Sequence, residues 1–223
     1  MKKPFVIAID GASSTGKSTL AKGLAKALGF PHVDSGAMYR GVTLYVQQHG
    51  LIENKKVKTE TLLSQLDDIH LRFEGDTFWL NGVDVSAEIR SMQVSEAVSL
   101  VAAIPEVRTF LVAQQRIMGA NQSVVMDGRD IGTVVFPKAD LKLFLTADVN
   151  IRAQRRFDEL SAQNNLTSVA EVRNNLAERD HLDSTRAESP LVQAADAIVL
   201  DATQYTVESM RDHVLDLVAE RLN

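Results

Sequence analysis

The chain has 223 residues, 45% of them hydrophobic and 24% charged, which is enough to bury one α/β domain with insertions or two small domains. A formal net charge of −5 argues against broad binding along nucleic-acid backbones, although a local basic cleft stays open. There is no cysteine, so disulfides and thiolate metal sites are excluded, and the composition fits a reducing compartment.

In chain order, Met1-Lys2-Lys3-Pro4 is followed by the apolar run Phe5 to Ile9, which Asp10 ends. That run is too short for the core of a secretory signal, and far short of the roughly 20 apolar residues that span a bilayer. The expectation is a cytoplasmic protein that binds neither membrane nor nucleic acid. Phe5-Val6-Ile7-Ala8-Ile9 reads as a buried parallel strand. A Gly-rich turn follows, and then Leu20, Leu24 and Leu28 recur at helical spacing until Gly29 and Pro31 stop the helix. Residues 69 to 85 carry Leu71-Arg72-Phe73, Phe78-Trp79-Leu80 and Val83, broken at Glu74-Gly75-Asp76 and Asn81-Gly82. Asn-Gly is a strong hairpin signal, so a small antiparallel unit is expected here, with Trp79 in its core. Ser123-Val124-Val125-Met126, Leu141 to Leu145 and Ala197-Ile198-Val199-Leu200 read as three further strands. Residues 150 to 190 are polar and helical, and read either as a solvated helical pair or as a lid over a phosphate site. Val207, Met210, Val214, Leu217 and Val218 line one face of a closing helix. Strands alternating with helices imply an α/β fold with a parallel sheet covered on both faces.

Gly11-Ala12-Ser13-Ser14-Thr15-Gly16-Lys17-Ser18, with Thr19 following, matches G-x-x-x-x-G-K-[ST] at every fixed position, between a strand and a helix. Two glycines let the backbone wrap phosphate oxygens, successive N–H groups form an anion nest, and the helix aims its N-terminus at the same charge. Lys17, expected on an exposed loop, can reach the β- and γ-phosphates of ATP, and Ser18 is placed to contact Mg²⁺. Asp127, directly after an apolar strand, suits the same ion, directly or through water. It is equally an ordinary polar residue at a strand end, and Asp10 and Asp34 are weaker rivals. Basic residues are uneven: from Thr59 onward there are 13 arginines and 2 lysines. Arginine offers a planar fork for phosphate, and plain compositional bias gives the same count. The five histidines, at 32, 49, 70, 181 and 213, match no metal motif and suggest no role.

A phosphate loop identifies a nucleotide binder, not a reaction. Three further stretches narrow it: Asp34-Ser35-Gly36-Ala37-Met38-Tyr39-Arg40, Asp127-Gly128-Arg129-Asp130-Ile131-Gly132-Thr133, and Glu178-Arg179-Asp180-His181-Leu182-Asp183-Ser184-Thr185-Arg186. With the phosphate loop, and in this order, they resemble the bacterial cytidylate kinase family over the whole chain. The segment Asp84-Val85-Ser86-Ala87-Glu88-Ile89-Arg90 resembles that family's extra insert. The resemblance implies a P-loop NTPase-type five-stranded parallel sheet with helices on both faces, a small antiparallel insert near 69–90, and a helical lid. It implies a core of 1–35, 120–150 and 187–223, a monophosphate-binding domain of 36–119, and a lid of 151–186. It implies transfer of a phosphoryl group from ATP to CMP or dCMP with Mg²⁺; a monomer is expected, although the sequence itself does not give the oligomeric state. Carried over by residue, Ser35, Arg40, Ser99, Arg108, Arg129, Asp130, Asp183 and Arg186 match CMP-binding positions. Arg155 and Arg156 match lid arginines that meet the transferring group, with Arg129 and Lys17 as further catalytic cations. Position 182 is Leu where some members carry another lid arginine.

Each of these residues has a plainer reading. Arg155 and Arg156 suit a solvated helix face, Arg40 and Arg186 ordinary ion pairs, Asp183 a helix cap, and Asp130 a structural pair with Arg129. Kinases of UMP, AMP or a non-nucleotide alcohol are the nearest rival enzymes. A nucleotide-dependent switch is the rival of another class, but the Asn-Lys-x-Asp motif of GTPase switches is absent.

Overall fold

A computed structural model describes residues 3–162 and 167–222. Residues 163–166, inside the expected lid, and the first two residues of the chain lie outside the described residues. The elements run β1 (Val6–Gly11), α1 (Lys17–Leu28), β2 (His32–Asp34), α2 (Ser35–Gln48), β3 (Ile52–Glu53), β4 (Lys56–Val57) and α3 (Thr59–Leu63). They continue with β5 (Leu71–Glu74), β6 (Thr77–Leu80), β7 (Val83–Asp84), α4 (Met92–Ala102), α5 (Pro105–Ala120), β8 (Val124–Gly128) and β9 (Leu141–Thr146). The chain closes with α6 (Val149–Ala162), α7 (Val169–Thr185), β10 (Ile198–Asp201) and α8 (Val207–Leu222). It divides into two compact units, residues 1–32 with 119–223, and residues 33–118.

The first unit is built on a five-stranded sheet in the order β10-β9-β1-β8-β2. Strand β1 pairs in parallel with β8 and β9, and β9 pairs in parallel with β10. Central strands of a parallel sheet are covered on both faces, which explains why β1 and β8 read as continuous apolar runs and are buried throughout. Ile7, Ile9, Val125, Leu143 and Leu200 turn one face toward Leu20 and Leu24 of α1 and Met210, Val214 and Val218 of α8. The apolar spacings of the first and last helices therefore form one shared core. Four strands lie where the apolar runs place them. The fifth, β2, is only three residues long, too short for a periodic signal. Among the described residues no helix is long and apolar enough to cross a membrane.

In the second unit β5, β6 and β7 form an antiparallel sheet. Asn81 (φ 50°) and Gly82 (φ 82°) make the tight turn between β6 and β7, as a two-residue primed turn requires. Trp79 does not form the core of this unit. Side chains alternate along a strand, so Phe78 and Leu80, each 3% exposed, face inward. Trp79 lies on the other face under the Arg72 guanidinium, 5.1 Å from the ring centroid. Gly41, in the middle of α2, is where this sheet approaches the helix: a Cβ there would stand 2.7 Å from Phe78 Cε1. At Gly23, in the middle of α1, a Cβ would meet only an Arg211 methylene at 3.4 Å.

The two glycines predict opposite signs. Gly23→Ala should stabilise the protein by about 0.5–1 kcal/mol, the entropic gain of removing a glycine from a helix interior. Gly41→Ala forces Phe78 and Leu71 aside and should cost about 1–3 kcal/mol. Urea unfolding of the two variants against the parent checks both signs.

Candidate active site

The loop from Gly11 to Gly16 leaves the buried end of β1 and enters α1. Gly11 has φ 149°, and a Cβ there would stand 2.3 Å from the Leu145 carbonyl oxygen of β9, so only glycine fits the turn. Ser14 (φ 60°) and Gly16 (φ 95°) alternate the backbone through left-handed conformations, the geometry that turns consecutive N–H groups toward one point. Lys17 is not on an exposed loop. It is the first residue of α1, 5% exposed, and its Nζ donates to the Ala12 carbonyl at 2.5 Å.

Ser18 Oγ donates to Asp127 Oδ2 at 2.7 Å. The other carboxylate oxygen, Oδ1, lies 2.7 Å from His32 Nε2. Burial works to raise the Asp127 pKa, but the His32 contact, the Lys17 charge and the Ser18 hydroxyl hold it below the ordinary value. Ser18 and Asp127 are thus two hard oxygen donors side by side at the end of the loop. Asp10 takes a different part. It is 4% exposed and accepts hydrogen bonds from the Ile131 and Gly132 N–H groups at 2.8 and 2.7 Å, pinning the chain just after Asp130.

Arginines surround this loop. Arg129 donates through Nη2 to Ser13 Oγ at 2.7 Å and through Nε to Asp183 Oδ2 at 2.9 Å. Arg129 and Asp183 thus form an ion pair at 2.9 Å. Asp183 is buried inside α7 rather than capping a helix, and Arg186 lies 3.7 Å from its Oδ1. Burial works to raise the Asp183 pKa, but Arg129, Arg179 and Arg186 outweigh it and hold the carboxyl below its usual value. Arg179 is buried, which pushes its pKa down to about 10, and the charges of Arg129 and Arg156 add to that fall. Arg152 donates to the Ser13 carbonyl at 3.2 Å and to Asp180 at 2.7 Å, tying α6, α7 and the phosphate loop together. Arg155 lies beside Gly16 and reaches the Ala202 carbonyl at 3.4 Å. Arg156 pairs with Glu159 on its own helix at 3.0 Å.

Ser35, Arg40, Ser99 and Arg108 belong to the second unit. Ser35, Ser99 and Arg108 are buried. Arg40 donates to the Ile89 carbonyl at 2.9 Å, and Arg108 donates to the Ala102 carbonyl at 3.0 Å while lying over the Tyr39 ring. His32, Arg152 and Arg179 were not assigned from the sequence. Arg152 stands on the helix face of Arg155 and Arg156, and Arg179 inside a quoted motif, so only the lone His32 had no signal at all.

The sequence model of the family described as cytidylate kinase matches residues 7–220. This chain belongs to the cytidylate kinase family. It is 52% identical over 221 residues to the cytidylate kinase of Parabacteroides distasonis, covering 96% of each chain. It is 50% identical over 222 residues to the cytidylate kinase of Flavobacterium psychrophilum, covering 97% of this chain and 98% of the relative. Among solved structures, an uncharacterized protein from Eubacterium ventriosum matches with a TM-score of 0.53 at 14% identity, covering 98% of this chain and 99% of that one. That last likeness shows the fold alone. In this family member, the phosphate loop and the Asp183 arginine cluster lie within one unit of the chain.

Burial raises the Asp10 carboxyl from 3.8 to about 6, against the pull of the Gly132 and Ile131 amides. The folded state therefore holds a proton there that the unfolded chain releases. The resulting stability is present below about pH 4 and is lost as pH rises through about 6. Asp10→Asn cannot titrate. The unfolding free energy of the parent minus that of Asp10→Asn should fall by about 2–3 kcal/mol between pH 4 and 7. Urea unfolding across that range measures the difference, and a flat difference would contradict the burial argument.

Proposed function

We propose that the chain transfers the γ-phosphoryl group of ATP to CMP or dCMP. The observation that carries this reading is the double contact of Arg129. One guanidinium joins Ser13 of the phosphate loop to Asp183, about which Arg179 and Arg186 also gather. Phosphoryl transfer needs two charged phosphates held together more than it needs covalent chemistry. A cluster of forks next to a phosphate loop supplies that, because bidentate guanidinium contacts offset the repulsion between the substrates. The family's name and the high identity to proteins named cytidylate kinase support the acceptor.

In this reading the backbone of residues 11–16, the N-terminus of α1 and Lys17 hold the triphosphate of ATP. Ser18 and Asp127 would hold Mg²⁺, which keeps its remaining ligands from water and phosphate and offsets charge on the β- and γ-oxygens when bound. Residues 151–186 serve as the lid, with Arg155 and Arg156 meeting the transferring group. Excluding water there favours the acceptor hydroxyl over hydrolysis. Residues 36–119 serve as the monophosphate-binding domain, with Ser35, Arg40, Ser99 and Arg108 directed to CMP. The absence of cysteine supports a cytoplasmic setting. Initial rates with ATP, Mg²⁺ and each of CMP, dCMP, UMP and AMP test the reading. Turnover should be fast with the cytidylates and nearly silent without an acceptor. Hydrolysis of ATP at the same rate without acceptor would overturn it.

In the same reading, and on the family resemblance, base choice rests on Asp130, Arg108 and Ser99. Cytosine offers a donor at N4 and acceptors at N3 and O2, whereas uracil offers an acceptor at O4 and a donor at N3. A carboxylate accepts from the cytosine amino group and repels the uracil O4, and arginine serves the cytosine acceptors. Losing a charged hydrogen bond to a buried base costs about 2–3 kcal/mol. Asp130→Ala should therefore lower kcat/KM for CMP about thirty- to a hundredfold, while UMP changes little or improves. The readout is the CMP to UMP ratio of kcat/KM. An equal loss on both would mean that Asp130 supports the site without reading the base.

A further inference from the structure

The chain leaves β8 at Gly128 and bends through Arg129 and Asp130 into a single helical turn, Ile131–Val135. One residue holds both ends of this bend. Asp10, the last position but one of β1, is paired in register with Gly128. Its carboxylate accepts the Ile131 N–H through Oδ1 at 2.8 Å and the Gly132 N–H through Oδ2 at 2.7 Å. The peptide between Asp130 and Ile131 is thereby fixed at both of its polar atoms, because its oxygen accepts from the Val134 N–H at 2.8 Å. A fixed peptide plane sets the direction in which the Asp130 side chain leaves the backbone. Gly132 admits the close approach, since a Cβ there would stand 3.3 Å from Asp10 Oδ2. Two amide donors call for two acceptor oxygens, which a carboxylate has and a side-chain amide does not. The next residue, Gly11, opens the phosphate loop.

We propose that Asp10 is a positioning residue for acceptor recognition, clamping the Arg129–Asp130 bend at a set distance from the phosphate loop. It rests on the proposed function in taking Asp130 as a residue that reads the base. A recognition group works only while its support holds it within about 0.5 Å of the productive geometry. Arg129 has anchors of its own at Ser13 and Asp183, so the consequence of losing the clamp is followed at Asp130. Charge and geometry pull in opposite directions here. Removing a negative charge beside the phosphate loop would by itself favour any nucleotide. A loss of affinity confined to the acceptor therefore reports the clamp.

The test is a double-mutant cycle read by titration calorimetry. CMP alone and ADP alone are bound to the parent, Asp10→Asn, Asp130→Ala and the double variant, at a pH well above 6, where Asp10 is ionised. Asp10→Asn keeps the shape of the side chain but sets an NH₂ group against one of the two amides. It should weaken CMP about tenfold or more and leave ADP no more than about twofold weaker. In the Asp130→Ala background the same change should cost CMP no more than about a further twofold, because both substitutions then act on one contact. Parent-like CMP binding by Asp10→Asn would overturn the proposal. So would an equal loss of CMP and ADP, which would make Asp10 a support of the whole domain, and so would losses that multiply in the double variant. Should Asp10→Asn fail to fold, Asp10→Ser, whose hydroxyl is too short to reach both amides, takes its place in the cycle. The acceptor panel is run on the parent and tests the proposed reaction by itself, so it can succeed while this cycle fails.

Discussion

Guanidinium groups repel one another, and the site around the phosphate loop depends on holding several of them close together in a poorly solvated place. Two buried or half-buried carboxylates of α7 make this possible. Asp183 takes Arg129 and Arg186, and Asp180 takes Arg152. The cost of the crowding is visible at Arg179, where burial and two neighbouring positive charges pull the pKa down to about 10. Two carboxylates do not neutralise the four arginines around them. The remaining positive field, aimed at the Ser13 side of the loop, is what a phosphate would meet.

The same economy of pairing organises the end of β1. Asp127, Asp10 and Asp34 each find a different kind of donor. Asp127 accepts from Ser18 and His32, Asp10 accepts from the Ile131 and Gly132 amides, and Asp34 caps α2 through the Ala37 N–H. Their environments push the proton affinities of Asp10 and Asp127 apart. Burial stays dominant at Asp10 against two amides and the Lys17 charge, whereas an imidazole, the same lysine and a hydroxyl overcome it at Asp127. One carboxylate is thereby a structural strut that fixes the chain after Asp130, and another stays ionised beside the phosphate loop.

Sequence reasoning reached most of the architecture because the relevant forces act locally. The apolar runs of β1, β8 and β9 encode burial on both faces, the leucines of α1 encode its inner face, and Asn81-Gly82 encodes a turn through the φ > 0 it tolerates. Where the signal is short or shared, it failed. Strand β2 spans three residues and borrows its identity from the strand beside it. Trp79 was misplaced because aromatic character says nothing about which face of a strand a residue occupies, and Phe78 and Leu80 took the inner one.

By itself, then, the sequence determined the phosphate loop, the alternation of strands and helices, and the residue types that a phosphoryl-transfer site needs, since each is written in neighbouring positions. Only the tertiary structure decided which partners those residues hold. Arg129 takes Asp183, Lys17 is buried rather than exposed, and His32 and Arg152 meet Asp127 and Ser13 across 95 and 139 positions of the chain. Such pairings depend on which side chains the sheet and the helices bring within a few ångströms, and spacing along the chain does not encode that distance.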